Sequence, residues 1–377
     1  MFRFGMMGCG NIAAKFVRAA ALAEDCTVCA AASKNPERAR NFAAANGIPQ
    51  AYGNYEEMLE QEKPDAVYIA VLPSDHARLT ALCLRHHVPV LCEKAMFQNF
   101  SEAEKICALS RETGTFFMEA MWSRFLPAER RAEEWVRSGR IGNLRLIQAT
   151  IGFAAEDNPE NRYLNAALGG GTANDILVYA VEIADLYLEA AKSAEEGEGR
   201  PGADHSVFCK SAESSACSEG ADRLGAEHGT CGEVGRMPEI CSLYTEKKYG
   251  VDVLTLLTLR KYGIPVQLNT SFVSPCREEM IFLGDQGRIE IPHPHYASEA
   301  VLYSADGKPA EHFTDTETQN GFVYEIREVM RCVRAGVQES PRVPHALNLA
   351  YGKIQDRIRA AEPAGKSSRK PQRTGKM

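Results

Sequence analysis

The segment FRFGMMGCGNIAAKF, residues 2–16, decides how the first part of this chain folds. An apolar run, Phe2–Met7, ends at glycines and is followed by an alanine-rich stretch with helical spacing. Gly8, Gly10 and Ala13 have the spacing of the turn between a strand and a helix that binds the pyrophosphate of a dinucleotide. Gly8 allows the tight turn, and Gly10 lets the backbone approach the phosphates. The segment therefore predicts a dinucleotide site at the start of a βαβ unit.

The first helical residues, Asn11 and Ile12, belong to the same predicted site. The N-terminus of a helix offers unpaired N–H groups and the positive end of its dipole to an anion. We therefore expect the backbone around these two residues to contact the cofactor phosphates.

The next 100 residues alternate apolar runs with segments of helical spacing. Such alternation predicts a parallel, doubly wound sheet, and we assign residues 1–121 to an α/β Rossmann domain that binds the cofactor. The predicted strands are Phe2–Met7, Cys26–Ala32, Ala66–Leu72, Val88–Cys92 and Thr115–Met118. The predicted helices are Asn11–Ala23, Pro36–Asn46, Tyr55–Gln61, His76–His86 and one that begins at an N-cap, Ser101.

After Trp122 the pattern changes to helices followed by a series of strands. The strands predicted between Ile240 and Ile291 have turn residues between them, as in an antiparallel sheet. Residues 122–362 are expected to form an α+β domain for substrate binding and dimerisation, with an open, mostly antiparallel sheet. An exposed apolar sheet face favours a partner, so we expect a homodimer through this sheet.

Two segments are predicted to lack a fixed structure. Residues 189–236 are rich in glycine and acidic side chains and contain few large apolar ones, which is typical of a flexible insertion. Residues 363–377 form a basic tail that we expect to be disordered.

Composition excludes several classes of function. The chain has 377 residues, with 43 basic and 50 acidic side chains and a net charge of -7, so nucleic acid and anionic membranes are not its expected partners. Its N-terminal stretch lacks the pattern of a secretory signal, and its 12 cysteines are scattered. We expect free thiols and a cytoplasmic location.

The end of the second predicted strand indicates which nicotinamide cofactor is bound. NAD sites usually have an acidic residue about 20 residues beyond the glycine turn, which binds the ribose 2′-hydroxyl. Here the strand ends at Ser33 and Lys34, with Arg38 on the following helix. These groups suit a 2′-phosphate and favour NADP over NAD.

Lys94 follows the predicted strand that ends at Cys92, at the edge of the sheet where α/β proteins bind ligands. In the second domain, Asp175 and Tyr179 are four residues apart on an apolar helix, so they share one face. Because buried polar groups need partners, this pair is a candidate for a site.

The chain resembles the Gfo/Idh/MocA oxidoreductase family, and within it the branch of dimeric dihydrodiol dehydrogenases and NADP-dependent D-xylose 1-dehydrogenases. The matching segments are GCGNIAAKF, DAVYIAVLPSDH, VLCEKAM, MEAMWSRFLPA, LGGGTANDILVY, LGDQGRIEIP and YEIREVMRCVRAGVQESP. The resemblance implies hydride transfer between a substrate CH–OH carbon and the nicotinamide, with Lys94, Asp175 and Tyr179 as the catalytic residues.

We expect Tyr179 to be the general acid or base, with its pKa lowered by the Lys94 cation. Further residues near these motifs are candidates for the two ligand sites. We assign Leu72, His76 and Glu93 to the cofactor site, and Trp122, Arg124 and Phe153 to the substrate site. The expected substrate is a sugar, another polyol or a trans-dihydrodiol. His293 and His295 alternate as metal ligands can, but no acid or cysteine adjoins them, and we expect no metal.

Two alternatives remain open. The motif Glu93-Lys94-Ala95 lacks the proline usual in the family, and Leu177 replaces its usual glycine. These departures would suit a sensor or scaffold that binds NADP without turnover. A third interpretation keeps the dehydrogenase and changes the substrate to an inositol or amino-sugar derivative.

Overall fold

The computed structural model of the protein describes residues 1–196 and 237–361. Within these ranges the strands form two sheets, one of six strands and one of eight. The first belongs to the N-terminal part of the chain and the second to the C-terminal part.

The first sheet is parallel throughout, with the order β3-β2-β1-β4-β5-β6. Its strands are β1 (Phe2–Met7), β2 (Cys26–Ala32), β3 (Gln50–Tyr52), β4 (Ala66–Ile69), β5 (Val90–Cys92) and β6 (Phe117–Glu119). The helices between them are α1 (Asn11–Ala20), α2 (Pro36–Asn46), α3 (Tyr55–Glu62), α4 (Pro73–Arg85) and α5 (Phe100–Thr113). The strand order reverses between β1 and β4, and this switch point is where doubly wound sheets bind ligands.

Two helix starts differ from those predicted. The N-cap of α5 is Asn99, whose side chain accepts a hydrogen bond from the Glu102 amide at 2.8 Å, and Ser101 lies inside the first turn. Asn is as good an N-cap as Ser, so sequence alone did not separate the two. Helix α4 begins at Pro73, ahead of His76, because proline suits the first helical position.

The second sheet has the order β14-β13-β12-β11-β7-β10-β9-β8 and is antiparallel except where β7 pairs with β10. Its strands are β7 (Leu144–Gly152), β8 (Glu239–Lys248), β9 (Val251–Lys261), β10 (Ile264–Ser271), β11 (Glu279–Gly284), β12 (Gly287–Pro292), β13 (Glu299–Ser304) and β14 (Pro309–Thr314). The last two strands and β3 were not anticipated. The predicted fold, a doubly wound Rossmann sheet followed by an α+β unit with a mostly antiparallel sheet, is confirmed.

The C-terminal part contains the helices α6 (Pro127–Arg137), α7 (Val178–Glu196), α8 (Phe322–Arg334) and α9 (His345–Ala360). Helices α6, α7 and α9 contact strands of the second sheet. Helix α8 packs on α1 and α9 packs on α5, so both closing helices contact the Rossmann unit. This packing places the start of α7 beside the carboxyl ends of β4 and β5.

The first residues of the predicted insertion, 189–196, are helical. Helix α7 continues to Glu196, because Ala190 and Ala191 are buried and Glu189 accepts hydrogen bonds from Lys261 and Tyr262, each at 2.7 Å. The acidic composition of residues 189–196 had indicated a flexible segment, because partners distant in the chain cannot be identified from composition. The rest of the predicted insertion, 197–236, and the predicted tail lie outside the described residues. No helix within the described ranges has the length and apolar character needed to cross a membrane.

Candidate active site

A large cavity opens at the switch point of the first sheet and extends to α7 and the second sheet. Its volume is about 1070 Å³. Pockets for one small molecule usually occupy roughly 300–1,000 Å³, so this cavity has room for a dinucleotide together with a second ligand. Its wall includes both the glycine turn and Tyr179.

The glycine turn has the geometry that a pyrophosphate requires. Gly8 has φ +107°, and a Cβ there would lie 2.3 Å from the carbonyl oxygen of Ala70, so only glycine fits. A Cβ on Gly10 would meet nothing within 4 Å, so the space beside it is open to a ligand. No described side chain caps the start of α1, which leaves the N–H groups around Asn11 and Ile12 available to an anion.

The residues predicted for the adenosine end line the same cavity. Ser33, Lys34, Arg38 and the half-exposed Leu72 all contribute to its wall. The Lys34 ammonium pairs with the Asp75 carboxylate at 2.7 Å, and Arg38 Nε donates to the Cys9 carbonyl at 3.2 Å. Two cations therefore lie near the end of β2.

The resemblance assigned Lys94 and Asp175 to one reaction centre, and in the structure the two side chains are in contact. Lys94 Nζ donates to Asp175 Oδ1 at 2.9 Å and to the Asp175 backbone oxygen at 2.7 Å. Asp175 lies in a π-helical turn, Ala173–Leu177, ahead of α7. Such turns occur frequently at functional sites. Glu93, beside the lysine, is buried and accepts a hydrogen bond from the Tyr68 hydroxyl.

Tyr179 lies against the same lysine. Its ring centre is 4.9 Å from Lys94 Nζ, and its side chain is only 7 % exposed. Its hydroxyl accepts a hydrogen bond from Trp122 Nε1 at 3.1 Å. Trp122, predicted as a wall of the substrate site, is instead a partner of the tyrosine and does not line the cavity. Phe153 does line it, with Tyr163 packed edge-on at 4.9 Å.

The charge states of the three central groups follow from burial and pairing. Burial lowers the pKa of Lys94, but Asp175 and Tyr179 outweigh it and hold that pKa above its ordinary value. Burial raises the pKa of Asp175, but Lys94 outweighs it and holds that pKa below its ordinary value. At neutral pH the site therefore contains a cation and an anion in contact.

The prediction for Tyr179 was wrong in sign. Burial raises its pKa to about 12, and the opposing effect of Lys94 is smaller. Asp175 also raises the pKa of Tyr179, because its carboxylate offsets the positive charge of Lys94. Tyr179 is therefore a neutral phenol at pH 7, suited to donate a proton.

Besides Trp122, two predicted site residues, His76 and Arg124, do not line the cavity. The His76 ring is buried and lies 3.1 Å from the carbonyl oxygens of Ala95 and Val71, so it holds the loop after β4 against the segment after Lys94. Arg124 is buried and binds the backbone and side chain of Glu182, its carboxylate at 3.2 Å. Its charge is satisfied inside the protein, because a buried guanidinium needs an anionic partner.

The residues that line the cavity but were not assigned to it from the sequence include Arg162, Tyr163 and His295. Arg162 lies 3.9 Å from Asp175 Oδ1, and the His295 ring centre is 5.5 Å from that of Tyr179. In the sequence, His293 and His295 were considered only as possible metal ligands. In the described part of the chain, no three His, Cys, Asp or Glu side chains are grouped as metal ligands.

Two family models and several relatives match this chain. The family model described as the oxidoreductase family with an NAD-binding Rossmann fold matches residues 2–121, and the GFO/IDH/MocA C-terminal domain matches residues 130–290. The trans-1,2-dihydrobenzene-1,2-diol dehydrogenase of Mus musculus is 30% identical, over 95% of this chain and 96% of its own. The protein of the same name from Danio rerio is 27% identical, over 95% of this chain and 96% of its own.

Solved structures share the fold. An aldose–aldose oxidoreductase from Caulobacter crescentus has a TM-score of 0.74 and 20% identity, covering 95% of this chain and 96% of its own. A 3-ketoreductase from Actinomadura kijaniata, solved with NADP and TDP-benzene, has a TM-score of 0.72 and 22% identity. The match covers 95% of this chain and 97% of that protein. Because both family models match and together span most of the chain, the protein belongs to the Gfo/Idh/MocA family of NAD(P)-binding oxidoreductases.

Proposed function

We propose that this protein is an NADP-linked dehydrogenase that oxidises a CH–OH group of a sugar, such as a D-xylose-like aldose, or of a trans-dihydrodiol. The observation that carries the proposal is the contact of Lys94, Asp175 and Tyr179 in the wall of the cavity. The names of the relatives support a dihydrodiol, and that of the Caulobacter structure supports an aldose.

The residues of the cavity suit a bound nicotinamide dinucleotide, because the glycine turn is open and two cations lie near the end of β2. Bound NADP⁺ would supply the hydride acceptor. Tyr179 would take the hydroxyl proton during oxidation and return it during reduction. Lys94, held by Asp175, would stabilise the negative charge that develops on the substrate oxygen.

Replacement of Lys34 and Arg38 by alanine should weaken NADP⁺ binding selectively. Each charge-assisted hydrogen bond to the 2′-phosphate contributes about 1.5–3 kcal/mol, so KM for NADP⁺ should rise at least tenfold. KM for NAD⁺ should change little, because NAD⁺ lacks this phosphate. Arg40→Ala on the same helix is the control, since Arg40 is exposed and does not line the cavity. Equal losses with both cofactors would contradict the NADP assignment.

The oxidation rate should rise with pH. The pKa of Tyr179 is about 12, so the phenolate fraction and kcat should both grow as pH rises from about 7 to 10. Asp175→Asn removes a charge that raises this pKa and should shift the profile to lower pH. Initial rates measured in both directions check this, and a flat oxidation profile in that range would count against Tyr179 as the base.

Initial rates near 340 nm, with D-xylose, D-glucose and a trans-dihydrodiol as substrates, test the proposal as a whole. We expect turnover with NADP⁺ and less with NAD⁺. NADPH binding, followed by its fluorescence, is measured in the same samples. Tight binding without turnover of any substrate would contradict the dehydrogenase and support the non-catalytic sensor or scaffold.

The same proposal includes a homodimer in the cytoplasm. Tyr244 and Leu256 are opposite each other on β8 and β9, and each is 41% exposed, so the outer sheet face offers apolar surface to a second copy. The described cysteines are free, as in a reducing compartment. A monomer in gel filtration at working concentration would contradict the dimer.

A further inference from the structure

His295 lies beside Tyr179 without a role in the chemistry described above. It belongs to a short turn, Pro294–Tyr296, between β12 and β13, and its ring lines the cavity. The two ring centres are 5.5 Å apart, and the His295 side chain is 19% exposed. The second sheet therefore contributes a polar side chain next to the reaction centre.

The two nitrogens of His295 have different surroundings. Nδ1 is buried and has no hydrogen-bond partner among the described residues. Its nearest charged group is Glu278 Oε2 at 4.0 Å, an ion-pair distance that is too long for a hydrogen bond. Nε2 is absent from the buried unpartnered atoms of the described chain, and it lies in a ring that borders the cavity.

Glu278 is itself held in place. Its Oε1 accepts a hydrogen bond from the Gly152 amide at 3.2 Å, and its Oε2 lies 3.1 Å from Nδ1 of the exposed His293. The carboxylate is therefore fixed on the Nδ1 side of the His295 ring. A fixed negative charge beside Nδ1 favours the tautomer with its proton on that nitrogen.

Burial lowers the pKa of His295 to about 4, and Lys94 and His293 also lower it. Glu278 and Asp175 oppose this effect without overcoming it. The imidazole is therefore neutral at pH 7. With the proton on Nδ1, the lone pair of Nε2 is available to accept a hydrogen bond from a ligand.

We propose that His295 Nε2 accepts a hydrogen bond from the substrate hydroxyl adjacent to the one that is oxidised, and that Glu278 positions the ring. The site would then select vicinal diols over alcohols that lack the neighbouring hydroxyl. This inference rests on the proposed function, and it identifies the neighbouring hydroxyl as the substrate group that the site recognises. A site built to bind a hydroxyl rejects an analogue without it, because its polar group is left unpaired.

The test compares D-glucose with 2-deoxy-D-glucose, and D-xylose with its 2-deoxy analogue, by kcat/KM with NADP⁺. The wild type should prefer the diol by about tenfold to a hundredfold. His295→Phe keeps an aromatic ring and removes the acceptor, so it should lower kcat/KM for the diol and leave the deoxy sugar nearly unchanged. His295→Gln, which restores an acceptor, should recover part of the preference.

Two further variants separate this role from a structural one. His312→Phe changes an exposed, carboxylate-paired histidine on β14 and should leave the preference intact. Glu278→Gln should raise KM for the diol more than for the deoxy sugar. Equal losses on both sugars in His295→Phe would show a merely structural role and overturn the inference.

A binding measurement keeps the inference testable if the wild type shows no turnover. Quenching of bound NADPH fluorescence gives Kd for the diol and the deoxy sugar in the same variants. A diol preference that disappears in His295→Phe would support the hydrogen bond even though the proposed dehydrogenase had failed. Equal Kd values for both sugars in the wild type would overturn it.

Discussion

Replacement of Tyr179 by phenylalanine should lower kcat by about 10²–10⁴, the usual contribution of a positioned acid or base. The substitution removes only the hydroxyl, which is buried and bonded to Trp122 Nε1 at 3.1 Å. The ring remains beside Lys94, so NADPH affinity and the fold should change little. Stopped-flow rates in both directions, with NADPH binding measured in parallel, check this expectation.

Tyr187→Phe is the matched control for that substitution. Tyr187 is on the same helix, is fully buried, and donates its hydroxyl hydrogen bond to Glu129 at 2.7 Å, away from the cavity. Its loss should reduce the free energy of unfolding by about 1–3 kcal/mol and leave kcat unchanged. A Tyr179→Phe protein with kcat near that of the wild type would exclude the tyrosine as acid or base.

Replacement of Lys94 by methionine should lower kcat by about 10²–10³, as loss of one group that stabilises an oxyanion does. It should also destabilise the fold, because the Asp175 carboxylate would lose its partner at 2.9 Å while remaining largely buried. Breaking a buried pair in this way costs up to about 3–5 kcal/mol. Thermal unfolding and steady-state kinetics measure the two effects separately.

The double variant Lys94→Met with Asp175→Asn separates the two effects. Removal of both charges should recover much of the stability, since no unpaired charge stays buried, but it should not recover activity. Lys105→Met, on the exposed face of α5, is the control for the substitution itself. Recovery of kcat in the double variant would show that Lys94 acts only through stability.

Local patterns predicted the parts of the fold that depend on neighbouring residues. The spacing of Gly8, Gly10 and Ala13 predicted a turn whose geometry permits no side chain at Gly8. The four-residue spacing of Asp175 and Tyr179 predicted that they share one helix face, and in the structure both contact Lys94. In each case the spacing itself is local, within one helix turn or one strand–helix unit.

What the sequence did not predict depends on partners distant in the chain. Arg124 has the chemistry of a substrate ligand, but Glu182 on another helix satisfies its charge. The sequence indicated only a loop or strand-edge position for His295. The fold of the second sheet brings this residue beside Tyr179. The sign of the Tyr179 pKa shift depends on burial, which required the packing of both units and not only the presence of a lysine.

Transfer of deuterium from substrate to cofactor tests the central claim most directly. D-Xylose and D-glucose deuterated at C1, and a trans-dihydrodiol deuterated at its carbinol carbons, would each be mixed with NADP⁺ and the protein, and the cofactor analysed by mass spectrometry. The account predicts deuterated NADPH from at least one of them, and its loss in Tyr179→Phe. NADP⁺ bound by the protein but left unlabelled by every substrate would contradict the account.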